Sequence, residues 1–367
     1  MRPTFAEVNL AQLTANYRAI QARVAPAQVM PVIKANAYGH GLVPVARHLE
    51  SLGVPYLGVA LVEEGVQLRE NGITTPILVL GGSMREQVPL FLEHELTIAA
   101  ASLEKLAHIE EGARRLGKRA RIHLKIDTGM GRLGVQYYSA AGFLEAALRS
   151  EHCRVEGIFS HFANADAADL SSAREQLARF TEVLRFYEER GIAPPLRHMA
   201  NSAAILQLPE SHFDMVRAGI MLYGVYPSPE VPRTVSVGPV LSWKSHAVYV
   251  KTLRPGQPVS YGSTWQADHP VRIITVPAGY GDGYLRALSN RSEVIIHGRR
   301  YPVAGRVCMD QIMVNVEQDT VYPGDEVILL GESRGARISA EELAAWAGTI
   351  GYEILTNING RVPRVYV

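Results

Sequence analysis

The chain of 367 residues has few cysteines, no excess of one charge and no long apolar run. Its two cysteines, Cys153 and Cys308, are too few for a disulfide framework and lack the paired spacing of a zinc site. The 37 Lys and Arg residues balance 36 Asp and Glu residues, which argues against a nucleic-acid or anionic-membrane partner. No segment approaches the roughly 18 apolar residues of a membrane span.

The N-terminus also lacks the unbroken apolar run of a signal peptide, because Glu7 and several polar residues follow Arg2. We therefore expect a cytoplasmic protein. At roughly 100–200 residues per domain, the length favours two domains.

Short apolar segments alternate with helix-like stretches up to about residue 222. Eight such segments read as strands: 29–35, 54–61, 75–81, 96–101, 120–127, 155–162, 195–201 and 213–220. Between them, residues 102–117 and 171–191 carry apolar side chains at helical spacing. Eight strands separated by helices predict a (β/α)8 barrel, although strand count alone leaves a doubly wound open sheet as the alternative.

The segment 120–127 alternates apolar residues with Arg121, His123, Lys125 and Asp127. Side chains alternate faces along a strand, so this polar set is expected to point into the barrel. A polar inner face is costly unless its groups pair or serve a site. Lys125 and Asp127 fall at the carboxyl end of the strand, where barrel active sites lie.

Residues 225–239 hold four prolines, and the pattern changes after them. Consecutive strand-like segments with tight turns follow, and only 338–348, which opens with a Ser339-x-x-Glu342 capping box, looks helical. We predict a barrel over residues 1–228 and a mostly β domain over 229–367. The first residues could instead pack with the β domain.

The stretch PVIKANAYGHG, residues 31–41, is the densest chemical signal. Lys34 closes an apolar strand, where desolvation lowers a lysine pKa and frees the amine to form a Schiff base or act as a base. A surface lysine in a loop is the other interpretation of the periodicity.

VIKANAYGHG closely resembles the cofactor-binding signature of alanine racemase, a pyridoxal 5'-phosphate (PLP) enzyme with a barrel and a β domain. Further segments resemble the family in its order: 123–134, 157–166, 197–204, 216–224, 259–265, 278–284 and 305–311. The resemblance implies interconversion of L- and D-alanine, in which D-alanine would serve as a peptidoglycan precursor. The reaction would use two bases acting on opposite faces of Cα in a PLP aldimine. It makes Lys34 the cofactor lysine and one base, and Tyr261 the other, delivered by the partner subunit of a homodimer.

The resemblance also implies a set of binding residues. Arg217 would bond the pyridine nitrogen, with His161 and His198 nearby, and the phosphate would contact Tyr38, Ser202, Tyr352 and the N–H groups of Gly219 and Ile220. Arg132, Met309 and Asp310 would line the substrate site, Lys125 would be carbamylated, and Tyr280 and Tyr284 would lie near the entrance. From the residues alone, a structural ion pair would be favoured for Arg217 and a packing or hydrogen-bonding role for Tyr261. A helix cap would explain Asn201 and Ser202 equally well.

Rival functions are a PLP decarboxylase of the same barrel class, a non-catalytic PLP carrier and an aldolase-type barrel with a Schiff-base lysine. The decarboxylase should carry a cysteine-centred motif where this chain has SYGSTW, and the carrier should lack the second domain. An aldolase gives the phosphate-binding set no role. A broad-specificity or serine-preferring racemase remains the alternative for the substrate.

Overall fold

Residues 2–367 are described by a computed structural model that contains 21 β-strands and 11 α-helices. The strands are β1 (Phe5–Val8), β2 (Gln28–Pro31), β3 (Leu57–Val59), β4 (Ile77–Val79), β5 (Thr97–Ala100), β6 (Ala120–Asp127), β7 (Val135–Gln136), β8 (Cys153–Phe159), β9 (Leu196–His198), β10 (Met215–Ala218), β11 (Leu241–His246), β12 (Tyr249–Leu253), β13 (Pro258–Val259), β14 (Trp265–Gln266), β15 (Val271–Val276), β16 (Glu293–Ile296), β17 (Arg299–Pro302), β18 (Ile312–Asn315), β19 (Glu326–Ser333), β20 (Ala336–Ile338) and β21 (Arg364–Tyr366). The helices are α1 (Leu10–Val24), α2 (Lys34–Tyr38), α3 (Leu42–Ser51), α4 (Val62–Glu70), α5 (Val88–Glu93), α6 (Leu103–Arg115), α7 (Ala140–Arg149), α8 (Ser171–Glu188), α9 (Ser202–Gln207), α10 (Ala340–Ala347) and α11 (Gly351–Asn357).

Eight parallel strands form a barrel in the order β2-β10-β9-β8-β6-β5-β4-β3. A bridge between Val32 and Gly58 joins the two ends of this order, with the Ile33 amide donating to the Gly58 carbonyl at 2.8 Å. Each of the eight predicted segments overlaps one of these strands, although β2 and β8 begin one and two residues before their segments. The barrel prediction is therefore confirmed, and the open sheet is excluded.

Strand β6 spans the whole segment whose alternation predicted it. Ile122 and Leu124 are fully buried, and so is His123 on the opposite face. The register between β6 and β8 shifts between Ile122 and His123, where Gly157 lies opposite. A Cβ on Gly157 would lie 2.5 Å from His123 Nδ1, so the glycine leaves the room that the imidazole fills.

The chain divides into two compact units. The barrel unit consists of Thr14–Ala37 and Leu42–Val237, and the β unit consists of residues 2–13, Tyr38–Gly41 and Gly238–Val367. The barrel unit thus ends at Val237, and four residues that follow the Lys34 segment belong with the β unit.

The β unit contains a seven-stranded sheet in the order β17-β16-β19-β11-β1-β21, with β20 paired to β19. Strand β1 pairs antiparallel with β11 and parallel with β21, so the first and last strands of the chain are neighbours. A second sheet has the order β12-β15-β18. Helix α10 begins where the capping box predicted it, with Ser339 Oγ accepting from the Glu342 amide at 3.2 Å. Helix α11, which carries Tyr352, was not predicted.

Over residues 2–367, none of the helices has the length and apolar character that crossing a membrane requires.

Candidate active site

Four barrel strands carry expected site residues at or near their carboxyl ends. Lys34 follows β2, Lys125 lies two residues before the end of β6, His198 ends β9 and Arg217 lies in β10. The carboxyl ends of parallel barrel strands meet on one face. The barrel therefore gathers these four side chains at its mouth.

Arg217 is buried, with 3% of its surface exposed, and its two terminal nitrogens are fully engaged. Nη1 donates to Nδ1 of His198 at 2.9 Å and to the His198 carbonyl at 3.0 Å. Nη2 donates to the carbonyls of Ser160 and Met199 at 2.7 and 2.8 Å and to His161 Nδ1 at 3.0 Å. No acceptor for Arg217 Nε is found among residues 2–367, so this N–H remains available to a ligand acceptor.

Arg217 sets the proton positions on both histidines. Burial, with the charge of Arg132, lowers the pKa of Arg217 to about 9, which leaves it a cation at neutral pH. Burial, and then the charge of Arg217, lowers the pKa of His161 and of His198 well below the usual value, so both are neutral. A neutral imidazole that accepts at Nδ1 carries its proton on Nε2.

Lys34 is half-buried beside two cations and one carboxylate. Burial lowers its pKa, and the charges of Arg132 and Arg217 lower it further, whereas Glu64 raises it. The net effect is a lowered pKa, which increases the fraction of neutral amine near pH 7.

The backbone after Lys34 forms a left-handed turn. Ala35, Asn36, Ala37 and Tyr38 have φ values of 53°, 55°, 53° and 50°, a conformation that costs a non-glycine residue roughly 1–2 kcal/mol. The Glu64 carboxylate stabilises this turn, because it accepts hydrogen bonds from the Ala35 amide at 2.6 Å and from the amides of residues 60 and 61. The sequence motifs did not single out Glu64, because its partner Ala35 lies in another loop.

Lys125 is buried over the ring of Phe159, with Nζ 4.5 Å from the ring centroid. Burial, then the charges of Arg217 and Arg132, lowers its pKa well below the usual value, although Asp127 opposes this. No hydrogen-bond acceptor for Lys125 Nζ is found in the described part of the chain. The amine is therefore disposed to be neutral and nucleophilic.

Asp127 organises the loop that carries Arg132. It accepts from the amides of Gly129 and Gly131 at 2.9 and 3.1 Å and from Gln136 Nε2 at 3.1 Å. Burial raises the pKa of Asp127, but these hydrogen bonds outweigh it and the net pKa is lowered. Arg132 lines a cavity of about 450 Å³ together with Asp127, Gln136 and Lys105.

The residues expected to bind phosphate are divided between the two units. In the barrel unit, the Gly219 amide donates to Ser202 Oγ at 3.0 Å, whereas no acceptor among residues 2–367 is recorded for the Ile220 amide. In the β unit, the rings of Tyr38 and Tyr352 lie with centroids 6.1 Å apart. Burial raises the pKa of Tyr38, so its phenol stays protonated.

Tyr261 stands on a tight turn of the β unit with 69% of its surface exposed. Its neighbours Ser260, Gly262 and Ser263 have φ values of 66°, 71° and 48°, so the backbone is constrained on both sides of it. Met309 is also exposed, at 52%, and Asp310 accepts from Arg361 Nη2 at 2.6 Å. These side chains are presented outward from the β unit.

Tyr280 and Tyr284, both expected near an entrance, differ in burial. Tyr284 is fully buried, donates to Ser292 Oγ at 2.9 Å and packs on Trp243 with centroids 5.8 Å apart. Tyr280 is 41% exposed. The turn between the two tyrosines therefore buries one side chain and leaves the other exposed.

Two protein-family models match the chain: "Alanine racemase, N-terminal domain" over residues 8–227 and "Alanine racemase, C-terminal domain" over residues 240–366. The chain is 48% identical to the alanine racemase of Carboxydothermus hydrogenoformans over 369 residues, covering 100% of both chains. The structure resembles that of alanine racemase from Clostridium difficile 630, with a TM-score of 0.94 and 41% identity over 100% of this chain and 96% of that one. It also resembles alanine racemase from Bartonella henselae with covalently bound pyridoxal phosphate, with a TM-score of 0.90 and 28% identity over 100% of both chains.

Proposed function

Because this chain belongs to the alanine racemase family and is therefore an isomerase, we propose that it interconverts L- and D-alanine with pyridoxal 5'-phosphate. Lys34 acts on one face of Cα and the partner subunit's Tyr261 on the other, within a homodimer. The observation that carries this proposal is the free Nε–H of buried Arg217 in the same barrel mouth as a lysine with a lowered pKa.

The residues present fit PLP. The Lys34 amine is suited to bind an aldehyde, and Arg217 Nε–H can donate to a pyridine nitrogen. The phosphate is assigned to the amides of Gly219 and Ile220, the hydroxyl of Ser202 and the phenols of Tyr38 and Tyr352, with His161 beside Arg217. When bound, the cofactor supplies a ring that accepts negative charge from Cα.

Arg217 limits that electron withdrawal. A guanidinium is a donor that keeps its proton at neutral pH, so a pyridine nitrogen bonded to Arg217 would stay unprotonated. With this partner the bound ring would withdraw less charge from Cα, which would favour return of the proton to Cα. This choice of partner suits racemisation.

The proton is exchanged at Lys34 Nζ and at the Tyr261 hydroxyl. The lowered pKa of Lys34 lets the amine take and return a proton near neutral pH. Tyr261 must reach a substrate from outside the β unit, which fits its exposed position on a constrained turn. The proposal therefore assigns the two bases to different subunits.

The substrate carboxylate is assigned to Arg132 and the Met309 amide, with Asp310 beside them. Lys125 is assigned a carbamate: the neutral amine adds to CO2 and loses a proton, giving R–NH–COO⁻. This places an anion near Arg132 and Arg217, where charge attraction would hold Arg132 in place.

Isotope exchange with Tyr261→Phe tests the two-base proposal. In D2O, the variant should lose Cα exchange strongly for one alanine enantiomer and much less for the other, because only one face has lost its base. Tyr322→Phe, another tyrosine with an exposed side chain, is the control and should exchange both enantiomers like the wild type. Equal, mild losses with Tyr261→Phe would contradict the assignment.

A further inference from the structure

His123 is a fully buried histidine to which the sequence motifs gave no role. Its Nδ1 lies 2.9 Å from Nε2 of His198, the imidazole that accepts from Arg217. The His198 ring is stacked on Phe159 with centroids 4.8 Å and planes 5° apart, which limits its rotation. Arg217, His198 and His123 therefore form one buried chain of hydrogen bonds.

Arg217 determines the direction of every bond in this chain. Burial lowers the pKa of His123 to about 3 and that of His198 well below the usual value, so both imidazoles are neutral. His198 accepts at Nδ1, so its proton is on Nε2 and points at His123. His123 must then accept at Nδ1 and carry its own proton on Nε2. Within residues 2–367, Nε2 of His123 has no partner, so the chain ends there.

We propose that His123 is a positioning residue that holds Arg217 in place through His198. This inference deepens the proposed function, because it assumes that Arg217 is the group that contacts the cofactor nitrogen. Without His123, the Nε2–H of His198 would be a buried donor with no acceptor, which is costly in a low-dielectric interior. His198 would relieve that cost by rotating or by moving its proton to Nδ1. Either change removes the acceptor of Arg217 Nη1.

The backbone is shaped around the His123 ring. Strands β6 and β8 shift register beside it, and Gly157 is the residue opposite. A Cβ there would lie 2.5 Å from Nδ1 and 2.6 Å from Cε1 of His123. The ring is thus held where only Nδ1 faces His198.

The experiment reads tautomers by 15N NMR of histidine-labelled apoprotein, without cofactor or substrate. In the wild type, His123 and His198 should each be neutral with the proton on Nε2. His123→Asn keeps an acceptor near the Nδ1 position and should preserve the His198 tautomer. His123→Leu removes the acceptor and should shift His198 to the Nδ1–H form or to a mixture of both.

A wild-type His123 with its proton on Nδ1 would overturn the proposal even if His123→Leu failed to fold. So would a His123→Leu protein in which His198 and the Arg217 Nε–H signal remain as in the wild type. In the holoenzyme, we expect kcat to fall about tenfold in His123→Leu and to recover in His123→Asn. Because the tautomers are measured in apoprotein, the NMR result does not depend on whether the protein racemises alanine.

Discussion

Arg217 is a cation inside the barrel, and its partners explain how the fold tolerates it. Three carbonyl oxygens and two imidazole nitrogens accept from its terminal nitrogens. Uncharged acceptors of this kind satisfy a buried guanidinium without placing a carboxylate beside it. The histidines must stay neutral to do so, which links the site to the pH dependence of folding.

Acid should destabilise the protein through these histidines. His123 binds no proton in the folded state until about pH 3, whereas an unfolded chain takes one near pH 6.5. The stabilisation is therefore complete above about pH 6.5 and is lost as the pH falls towards 3, by about 1.4 kcal/mol per pH unit. Urea titrations of apoprotein between pH 6 and pH 4 give the free energy of unfolding at each pH. For each pH unit, the loss in His123→Asn should be smaller than the loss in the wild type by about 1.4 kcal/mol. Parallel curves would contradict the neutral, buried state of His123.

Lys125 should carry added CO2. Mass spectrometry under non-acidic conditions, or 13C NMR after incubation with 13C-labelled bicarbonate, should detect one carbamate per chain. Lys125→Ala should remove that signal, and Lys105→Ala, a control at a partly buried lysine of the cavity rim, should retain it. A free ammonium on Lys125 in the wild type would reject the assignment.

The positions of candidate residues could be predicted where a motif offers one candidate, and less well where a segment offers several. Lys34 and Arg217 are single candidates in their segments. The segment AGYGDGY offers two tyrosines, and the turn buries Tyr284 while exposing Tyr280. The alternation of β6 indicated that His123 faces inward, but its partner His198 is 75 residues away in the chain. Glu64 was missed for the same reason.

Helix α2 shows how a tertiary contact overrides local preference. The segment KANAY has residues that favour right-handed helix, yet four consecutive residues have positive φ. Glu64 ties the Ala35 amide to the loop after β3, and Asn36 Oδ1 accepts from the Leu42 amide at 2.8 Å at the start of α3. One contact to Glu64 and one to the start of α3 therefore hold the turn.

Glu64→Gln should disturb this turn and Lys34 with it. Three amide donors face the carboxylate, so a glutamine would turn an N–H group towards some of them and lower the free energy of unfolding by about 1–2 kcal/mol. Loss of the negative charge should also lower the pKa of Lys34. The pH profile of Lys34 acylation in apoprotein, followed by mass spectrometry, should move to lower pH. Exposed Glu63→Gln is the control, and identical profiles for all three proteins would contradict this role.

Strands were predicted better than short helices. Eight alternating or apolar segments indicated the barrel, and β6 has the predicted bounds because eight residues in a row alternate. Helix α11 was not predicted from the sequence because it has seven residues, begins at a glycine and buries only Ile354 and Leu355. Such a helix depends on its packing partners more than on its own sequence pattern.

At the scale of the whole molecule, the two units present different parts of the proposed chemistry. The barrel unit holds Lys34, Lys125 and Arg217, whereas the β unit exposes Tyr261 and Met309. The sequence indicated two domains from length and composition. It could not place residues 38–41 with the β unit, because that grouping depends on contacts with distant residues such as Leu355 near Gly39.

Complementation between two inactive variants tests the central claim, that Lys34 and the partner subunit's Tyr261 complete one site. Lys34→Ala and Tyr261→Ala should each lack racemase activity alone. After the two are mixed, unfolded and refolded together at equal amounts, half of the dimers should be mixed, and each mixed dimer should hold one intact site. About a quarter of the wild-type activity should return. No activity in verified mixed dimers would contradict a site shared between subunits.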